Sequence, residues 1–391
     1  MGEEMKRVFF RPMFYALLLG CVAINVWVLW NASDQRSQVI ASRDTAEQLT
    51  VGTGQTLLRL QPGQTGDIAQ AIIRRLPDAD QGSEAVKGGG TPTILQMLDG
   101  ALAMADGVNG EAMAGTYISG EGLKDEAADI ARKIYSQLDP VIEENRANGT
   151  ADTFFVPCNE GFFQLFTNNL LLFLMVESIV CSVLLMINTA NDAFSAKLSG
   201  LVYSSRRGRR LQLVKLLSGL VTSVIFTAIL WAVTLGLTAL IFPLGSLWQV
   251  PLGSMMVLDQ FYPLISWFPM TIAQYVCVQF LVALGCVIVF ALGAYGLVTR
   301  LHNSFSAFMV LGFVSALIYT VTFYFPKTTF MYFVMQCNPM DLARKAGRWL
   351  VSGAAGLSPQ FYEVFTLAVW LVILGLAGVM EIKRFYQEDL L

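Results

Sequence analysis

The stretch from Phe162 to Ile187 reads FFQLFTNNLLLFLMVESIVCSVLLMI and contains one charged residue, Glu177. A helix needs about 20 largely apolar residues to cross a bilayer, and this stretch is longer than that. The whole chain of 391 residues is 54% hydrophobic and 14% charged, whereas a soluble domain usually carries about 25% charged residues. The composition therefore indicates a protein whose surface largely faces the lipid bilayer.

Five further stretches have the same character, one near the N-terminus and four towards the C-terminus. They are 13–31, Leu213–Phe242, Met270–Val298, Phe305–Phe325 and Tyr362–Met380. A basic flank of Lys6, Arg7 and Arg11 precedes the first stretch, as it would in a signal peptide, but the length of the stretch and its lack of a clear cleavage site favour an uncleaved anchor. The sequence predicts an all-α polytopic membrane protein with six transmembrane helices.

Basic residues predict the orientation of the spans, because Lys and Arg concentrate in short cytoplasmic loops. The loop after the second span holds Lys197, Arg206, Arg207, Arg209, Arg210 and Lys215, whereas residues 245–269 hold none. We therefore expect a cytoplasmic (inner) membrane protein with both termini in the cytoplasm. One basic group conflicts with this rule, because six alternating spans place it outside. This group is Lys327, Arg344, Lys345 and Arg348.

The polar segment 32–161, between the first two spans, is predicted to be a mostly helical extracytoplasmic domain with one small core. Apolar residues recur at intervals of three and four between Leu123 and Arg146, which predicts one long amphipathic helix. Glycines in 88–92 and 107–122 predict loops. The acidic surface of this domain could attract cationic substrates or could simply be solvated.

Two cysteines are expected on the outer side, Cys158 before the second span and Cys337 between the fifth and the sixth. Because disulfides persist outside the cytoplasm, we predict a Cys158–Cys337 bridge. The other cysteines lie inside spans and are interpreted as small apolar packing residues. They are Cys21, Cys181, Cys277 and Cys286.

Several classes of chemistry are disfavoured. The chain has one histidine, His302, and no G-x-x-x-x-G-K-[ST] loop. Most metal centres and Ser-His-Asp sites need well-placed histidines, and NTPases of the common type need that loop to bind phosphates. The net charge of −3 gives no indication of nucleic-acid binding. We expect a non-catalytic chain with no metal site.

Glu177 is the only carboxylate well inside a predicted span. An ionisable residue at membrane depth usually faces the bundle interior and is a functional candidate. Glu177 could line a substrate path or be a protonation site, and the structural alternative is a protonated carboxyl bonded to a neighbouring helix. Four amides are expected to bond between helices: Asn168, Asn169, Gln274 and Gln279. Gly285 and Gly293 could allow helices to approach closely.

The loop 188–212 combines an apolar stripe at helical spacing with a basic turn, SSRRGRR at 204–210. A short amphipathic helix followed by such a turn suits docking onto a partner, although anchoring by positive charge explains the arginines equally well. The order of elements around this loop is more informative than the loop alone.

That order resembles the permease subunit of ABC-2 type (type V) transporters. The likeness rests on EMKRVFFR at 4–11, LVYSSRRGR at 201–209 and NPMDLARKAGRWL at 338–350. In that family these segments are an amphipathic N-terminal helix (1–12 in this chain), the coupling helix that docks on the ATPase, and short re-entrant helices at the outer face (326–361 in this chain). Many members have Glu early in the coupling loop, where the nearest acid of this chain is Asp192, and Lys197 lies where a second acid or Gly is common. The likeness covers 162–391 and the N-terminus, not 32–161.

The resemblance implies a non-catalytic exporter subunit that works with two ABC ATPase subunits, which would hold ATP and Mg, and with a second permease, identical or different. Its substrate could be a peptide, a drug, a lipid-like molecule or an ion, and in relatives the second and fifth spans line the path. The implied docking residues are Phe194, Leu198, Leu201, Tyr203, Arg206, Arg207, Arg209 and Arg210.

Two other functions stay open. An ABC-type mechanical transmitter also carries a large outer domain after its first span and transports nothing, but it typically has four spans. A membrane sensor or assembly factor would need no ATPase, and replacing the loop arginines would then affect membrane insertion only. An ion-coupled carrier is less favoured, because the sequence has neither repeated halves nor paired broken helices.

Overall fold

The computed structural model describes residues 12–32, 58–59, 108–150, 153–154, 165–195, 211–242, 247–254, 258–259, 262–353 and 356–387. About 80% of the structure is helical. Within these described ranges, six helices are long and apolar enough to cross a membrane, so the prediction of a helical multi-pass membrane protein is confirmed.

The helices in the described residues differ widely in length. In chain order they are α1 (Pro12–Asn31), α2 (Gly110–Glu121), α3 (Asp125–Ser136), α4 (Asp139–Ala147), a π-helix (Leu165–Leu170) that continues into α5 (Leu171–Ser195), α6 (Leu211–Ile241), α7 (Ile272–Leu301), α8 (Ser304–Tyr324), α9 (Met331–Gln336), α10 (Pro339–Arg344) and α11 (Tyr362–Gln387). The six spans are α1, α5 with its π-helical start, α6, α7, α8 and α11.

In the part of the chain that the structure describes, short strands pair in three antiparallel ladders. They are β1 (Leu58–Arg59) with β2 (Thr153–Phe154), β3 (Leu258–Asp259) with β4 (Tyr262–Pro263), and β5 (Ile265–Ser266) with β6 (Val351–Ser352). The last pair matters most for the fold, because Ile265 lies opposite Ser352 and joins the loop before α7 to the loop before α11.

Capping residues decide where α7 begins and ends. Thr271 and Gln274 form a reciprocal capping box at its start, and His302 takes a left-handed conformation with φ of 49° at its end. Asn303 then caps α8 by accepting a hydrogen bond from the Ser306 amide. Gln274 therefore caps its own helix, and the expectation that it bonds between helices is wrong.

The spans alternate in direction around a core built by α5 and α7. Met13 lies beside Asn188 and Cys21 beside Cys181, so α1 runs antiparallel to α5. A side chain at Gly285 would lie 2.6 Å from Leu367 of α11. The close approach expected at this glycine is thus confirmed. Most of the apolar residues of α5 are buried, whereas few of those on α8 and α11 are.

We call the end of the bundle at which α1, α6 and α8 finish the upper end, and the opposite end the lower end. At the upper end, α2, α3 and α4 pack on the loops between spans to form a small unit, the cap. The cap comprises residues 108–150, 265–268, 327–333, 351–353 and 356–358. Its core includes Met113 and Tyr135 from the helices, together with Trp267 and Tyr332 from the loops.

Hydrogen bonds fix the cap helices to these loops. The Lys124 and Ala127 amides donate to the carbonyls of Lys327 (3.0 Å) and Thr328 (3.2 Å), and the Tyr135 hydroxyl donates to the Gly353 carbonyl at 2.7 Å. Residues 108–150 of the predicted domain 32–161 are therefore mostly helical, and they share their core with loops that belong to 162–391.

Two predictions about this region are wrong. The single helix expected from Leu123 to Arg146 is divided into α3 and α4, because Pro140 lacks an amide hydrogen and its ring blocks a continuous helix. The loop expected over 107–122 contains α2, which Asn109 caps at its start and Gly122 ends with φ of 69°. Glycines in this stretch mark a helix end as well as a loop.

Candidate functional site

A polar contact inside the membrane joins three spans. Glu177 on α5 is 8% exposed, and its Oε2 accepts a hydrogen bond from Asn25 Nδ2 of α1 at 2.8 Å. The same amide nitrogen lies 3.1 Å from Thr234 Oγ1 of α6. Glu177 therefore faces the bundle interior, as expected, while its role in a substrate path stays a prediction.

Hydroxyl groups continue this contact along the interface of α5 and α6. Trp231 Nε1 donates to Ser178 Oγ at 3.2 Å, and Ser223 Oγ donates to the Ser182 carbonyl at 3.4 Å. Side-chain hydrogen bonds between transmembrane helices each contribute about 0.6 kcal/mol on average. This row of polar contacts thus holds α5 and α6 together over several turns.

Two oxygens of the intramembrane contact have no hydrogen-bond partner among the described residues. They are Glu177 Oε1 and Asn25 Oδ1, and both are buried. Both are acceptors, and a proton on the carboxyl would turn one of them into a donor. The Glu177 carboxyl can therefore carry a proton at this position, and its surroundings suit the neutral form better than an isolated buried charge.

Asn25 is the member of this contact that the sequence analysis missed. It is fully buried, and its only signal was a carboxamide within an otherwise apolar run. Cys21 and Cys181 lie one helical turn away, with their Sγ atoms 3.5 Å apart. The packing role expected for these two cysteines and for Cys286 agrees with their burial, whereas Cys277 is exposed.

The segment between α8 and α11 forms a second polar assembly at the upper end. Asn338 caps α10 through the Asp341 amide at 2.8 Å. Asp341 is 2% exposed, and its carboxylate binds Arg344 at 2.8 Å and Lys345 at 3.2 Å. Two of the basic residues that conflict with the positive-inside rule are therefore held in place by a buried carboxylate.

This segment is anchored to α7 and α11 by buried polar bonds. Gln279 of α7 accepts from the Gly347 amide and donates to the Trp349 carbonyl, both at 3.2 Å. Glu363 of α11 accepts from the Leu350 amide at 2.8 Å. Gln279 thus bonds to a loop segment rather than to another span. Asn168 also approaches it, with Oδ1 3.5 Å from Arg348 Nη2.

An ion pair joins α7 to α11 at the lower end. Arg300 at the end of α7 donates from Nε to Glu381 of α11 at 2.8 Å. Asn191 near the end of α5 donates to Ser304 of α8 at 2.7 Å. At the lower end, these contacts therefore connect α7 to α11 and α5 to α8.

Most of the predicted site residues lie outside the described residues. Phe194 is in the last turn of α5, and nothing is described of its side chain. The remaining predicted docking residues and the predicted N-terminal helix lie outside the described residues. They are Leu198, Leu201, Tyr203, Arg206, Arg207, Arg209, Arg210 and the segment 1–11. The proposed docking surface therefore stays a prediction.

The predicted Cys158–Cys337 bridge also stays a prediction, because Cys158 lies outside the described residues. Cys337 is a half-buried free thiol that donates to the Phe333 carbonyl at 3.6 Å. Burial raises the pKa of the Cys337 thiol. Since the thiolate is the reactive form, Cys337 is less reactive than an exposed cysteine.

No family model, curated protein or solved structure matches this chain. Within the described residues, no group of three or more His, Cys, Asp or Glu side chains could hold a metal ion. What the chain does must therefore be inferred from its own residues and their geometry.

Proposed function

We propose that this chain is the permease subunit of an ATP-driven ABC-2 type exporter in the inner membrane, with both termini cytoplasmic and the cap outside. It would bind two separate ATPase chains, which supply ATP and Mg²⁺, and pair with a second permease, identical or different. The observation that carries this proposal is the fold of the segment between α8 and α11. In that segment, α9 and α10 are short helices, as the likeness of residues 338–350 leads one to expect.

The burial of this segment supports a role in coupling. Leu342 and Trp349 are almost completely buried, and Trp349 Nε1 donates to the Leu342 carbonyl at 2.8 Å. The short helix α10 contacts α5, α7, α8 and α11. A segment that contacts four spans would respond when any of them moves.

The proposed mechanism begins at the loop 188–212, which connects α5 to α6. Closure of the ATPase pair would push on this loop, and the row of polar contacts between α5 and α6 would make these helices move together. Such motion would change the contact between Asn25 and Glu177, and it would change the packing of α5 on α10. Coupling needs two discrete packings of this kind that both ATP and substrate bias.

A mechanical transmitter is the second candidate, and the structure of the cap favours it. Lys327, just beyond α8, donates to Glu121 at 2.8 Å, and the backbone bonds of Lys124 and Ala127 reinforce that connection. Movement of α8 would therefore be carried to the cap. This candidate predicts ATP-dependent movement of the cap without any substrate crossing the membrane.

Site-specific crosslinking tests the proposed docking. A Ser205→Cys variant, treated with a short thiol-to-amine crosslinker in native membranes, should form a conjugate with a chain that carries a G-x-x-x-x-G-K-[ST] loop. The matched control is Ser119→Cys, which is exposed on α2 at the upper end. A nucleotide-binding conjugate from Ser205→Cys alone supports the proposal. Equal conjugates from both variants, or none from either, count against it.

A further inference from the structure

The basic residues at the upper end surround a cavity. It has a volume of about 150 Å³ and lies between α2 of the cap and the segment that leads into α11. Arg344, Lys345 and Arg348 line it, and Glu121 is the acid among the lining residues. Three of the four residues that conflict with the positive-inside rule therefore meet at one place.

Arg344 and Lys345 are positioned by neighbouring polar groups. Asp341 binds both Arg344 and Lys345, and Lys345 also donates to Gln336 Oε1 at 2.7 Å. Arg344 uses its Nε and Nη2 for Asp341, and its Nη1 makes no hydrogen bond among the described residues. Its guanidinium is thus preoriented with donor capacity left for a ligand.

Among the described residues that line the cavity, three are cations and one is a carboxylate. With direct partners included, the cations are Lys327, Arg344, Lys345 and Arg348. The carboxylates are Glu121, Asp341 and Glu363, the last through the hydroxyl of Ser358. Three lining cations facing one lining carboxylate favour an anionic ligand.

Neutral hydroxyl groups complete the lining. Burial raises the pKa of both the Tyr117 and the Tyr332 phenols. Both therefore stay protonated hydroxyls at neutral pH. The Tyr332 hydroxyl donates to Glu121 Oε2 at 3.4 Å, so Tyr117 is the phenol that can donate to an anion. Ser358 also lines the cavity, but its hydroxyl donates to Glu363.

We propose that this cavity binds a phosphate group, presented either by a lipid headgroup or by a free phosphate. Arginine forks combined with a lysine are well suited to phosphate oxygens. The volume would hold roughly five waters at about 30 Å³ each, which accommodates one such group but not a drug-sized ligand. The site lies in the segment between the end of α8 and the start of α11, so a lipid headgroup at the upper end of these spans could reach it. This inference does not depend on the proposed transport function.

Titration calorimetry with inorganic phosphate tests the free-anion form. The full-length protein is purified in neutral detergent without added phospholipid and titrated at low salt. We expect one phosphate per chain and at least about tenfold weaker binding in Arg344→Gln, because a charge-assisted donor is lost. The matched control is Arg132→Gln, which removes an exposed arginine of α3 paired with Asp129 and should leave binding unchanged. Arg348→Gln serves as a second variant if Arg344→Gln fails to fold.

Native mass spectrometry distinguishes the lipid form, with phosphatidylglycerol as the probe and uncharged diacylglycerol as its phosphate-free counterpart. Retention of one phosphatidylglycerol in the wild type and in Arg132→Gln, but not in Arg344→Gln, assigns the site to a headgroup. Arginine-dependent binding of inorganic phosphate alone assigns it to a soluble anion. If both probes bind all variants equally, or neither binds, the proposal is overturned.

Discussion

The contact between Asn25 and Glu177 makes a quantitative prediction about stability. Replacing Asn25 by Leu removes the hydrogen bonds to Glu177 Oε2 and Thr234 Oγ1. Two interhelical bonds contribute about 1 kcal/mol together, and leaving a buried carboxyl oxygen without a donor costs about 1–3 kcal/mol more. We therefore expect Asn25→Leu to lower the free energy of unfolding by about 2–4 kcal/mol.

A double-mutant cycle separates this contact from general packing. Glu177→Leu should cost less than Asn25→Leu, because Asn25 keeps Thr234 as a partner. The double variant should be more stable than the sum of the two single losses predicts, by at least about 1 kcal/mol, since both partners are then apolar.

The assay is reversible unfolding with SDS in mixed micelles, followed by tryptophan fluorescence. Leu19→Ala, at a position of α1 that is 68% exposed, provides the control for a substitution on the lipid side. Single losses that add to within about 0.3 kcal/mol in the double variant would refute the contact and the packing of α1 derived from it.

Three further predictions concern cysteines and the cap. Iodine in detergent should oxidise Cys21 and Cys181 to a disulfide, seen as a loss of 2 Da in the intact mass that Cys21→Ala abolishes, because their sulfurs are 3.5 Å apart. Burial raises the pKa of the Cys337 thiol, so its rate of maleimide labelling should still increase at pH values above about 8.5, where the rate for an exposed cysteine levels off. The rate is measured on the digested peptide. A labelling rate that levels off at the same pH as that of an exposed cysteine would contradict the burial of Cys337. Lys327→Gln should destabilise the cap by less than about 1 kcal/mol in hydrogen exchange, because its ion pair with Glu121 is partly exposed, and a loss above about 2 kcal/mol would contradict this.

The spans could be predicted from sequence because their apolar composition alone determines their position. Their exact ends depended on local chemistry, such as the capping box of Thr271 and Gln274. Pro140 was visible in the sequence, yet the regular apolar stripe around it favoured one continuous helix. The stripe correctly marked the buried face, since Ala127, Leu138 and Ile142 are all in the cap core.

The partners of polar residues could not be predicted in the same way. Glu177 was identifiable as a carboxylate in an apolar run, but its contact with Asn25 depends on how α1 and α5 are rotated and packed. The pairing of Ile265 with Ser352 and the assembly of the cap join residues far apart in the chain. At the upper end, Arg344 and Lys345 bind the buried Asp341 and Lys327 binds Glu121, and none of these pairs was predictable from the sequence.

The most direct test of the proposed function is affinity purification of the full chain from native membranes in mild detergent, with mass spectrometry of the co-purifying proteins. The account predicts a stoichiometric partner that carries a G-x-x-x-x-G-K-[ST] loop, and its loss when Arg206, Arg207, Arg209 and Arg210 are replaced by Gln in protein that still inserts in the membrane. Repeated purification without any nucleotide-binding partner would contradict the assignment as an ABC permease.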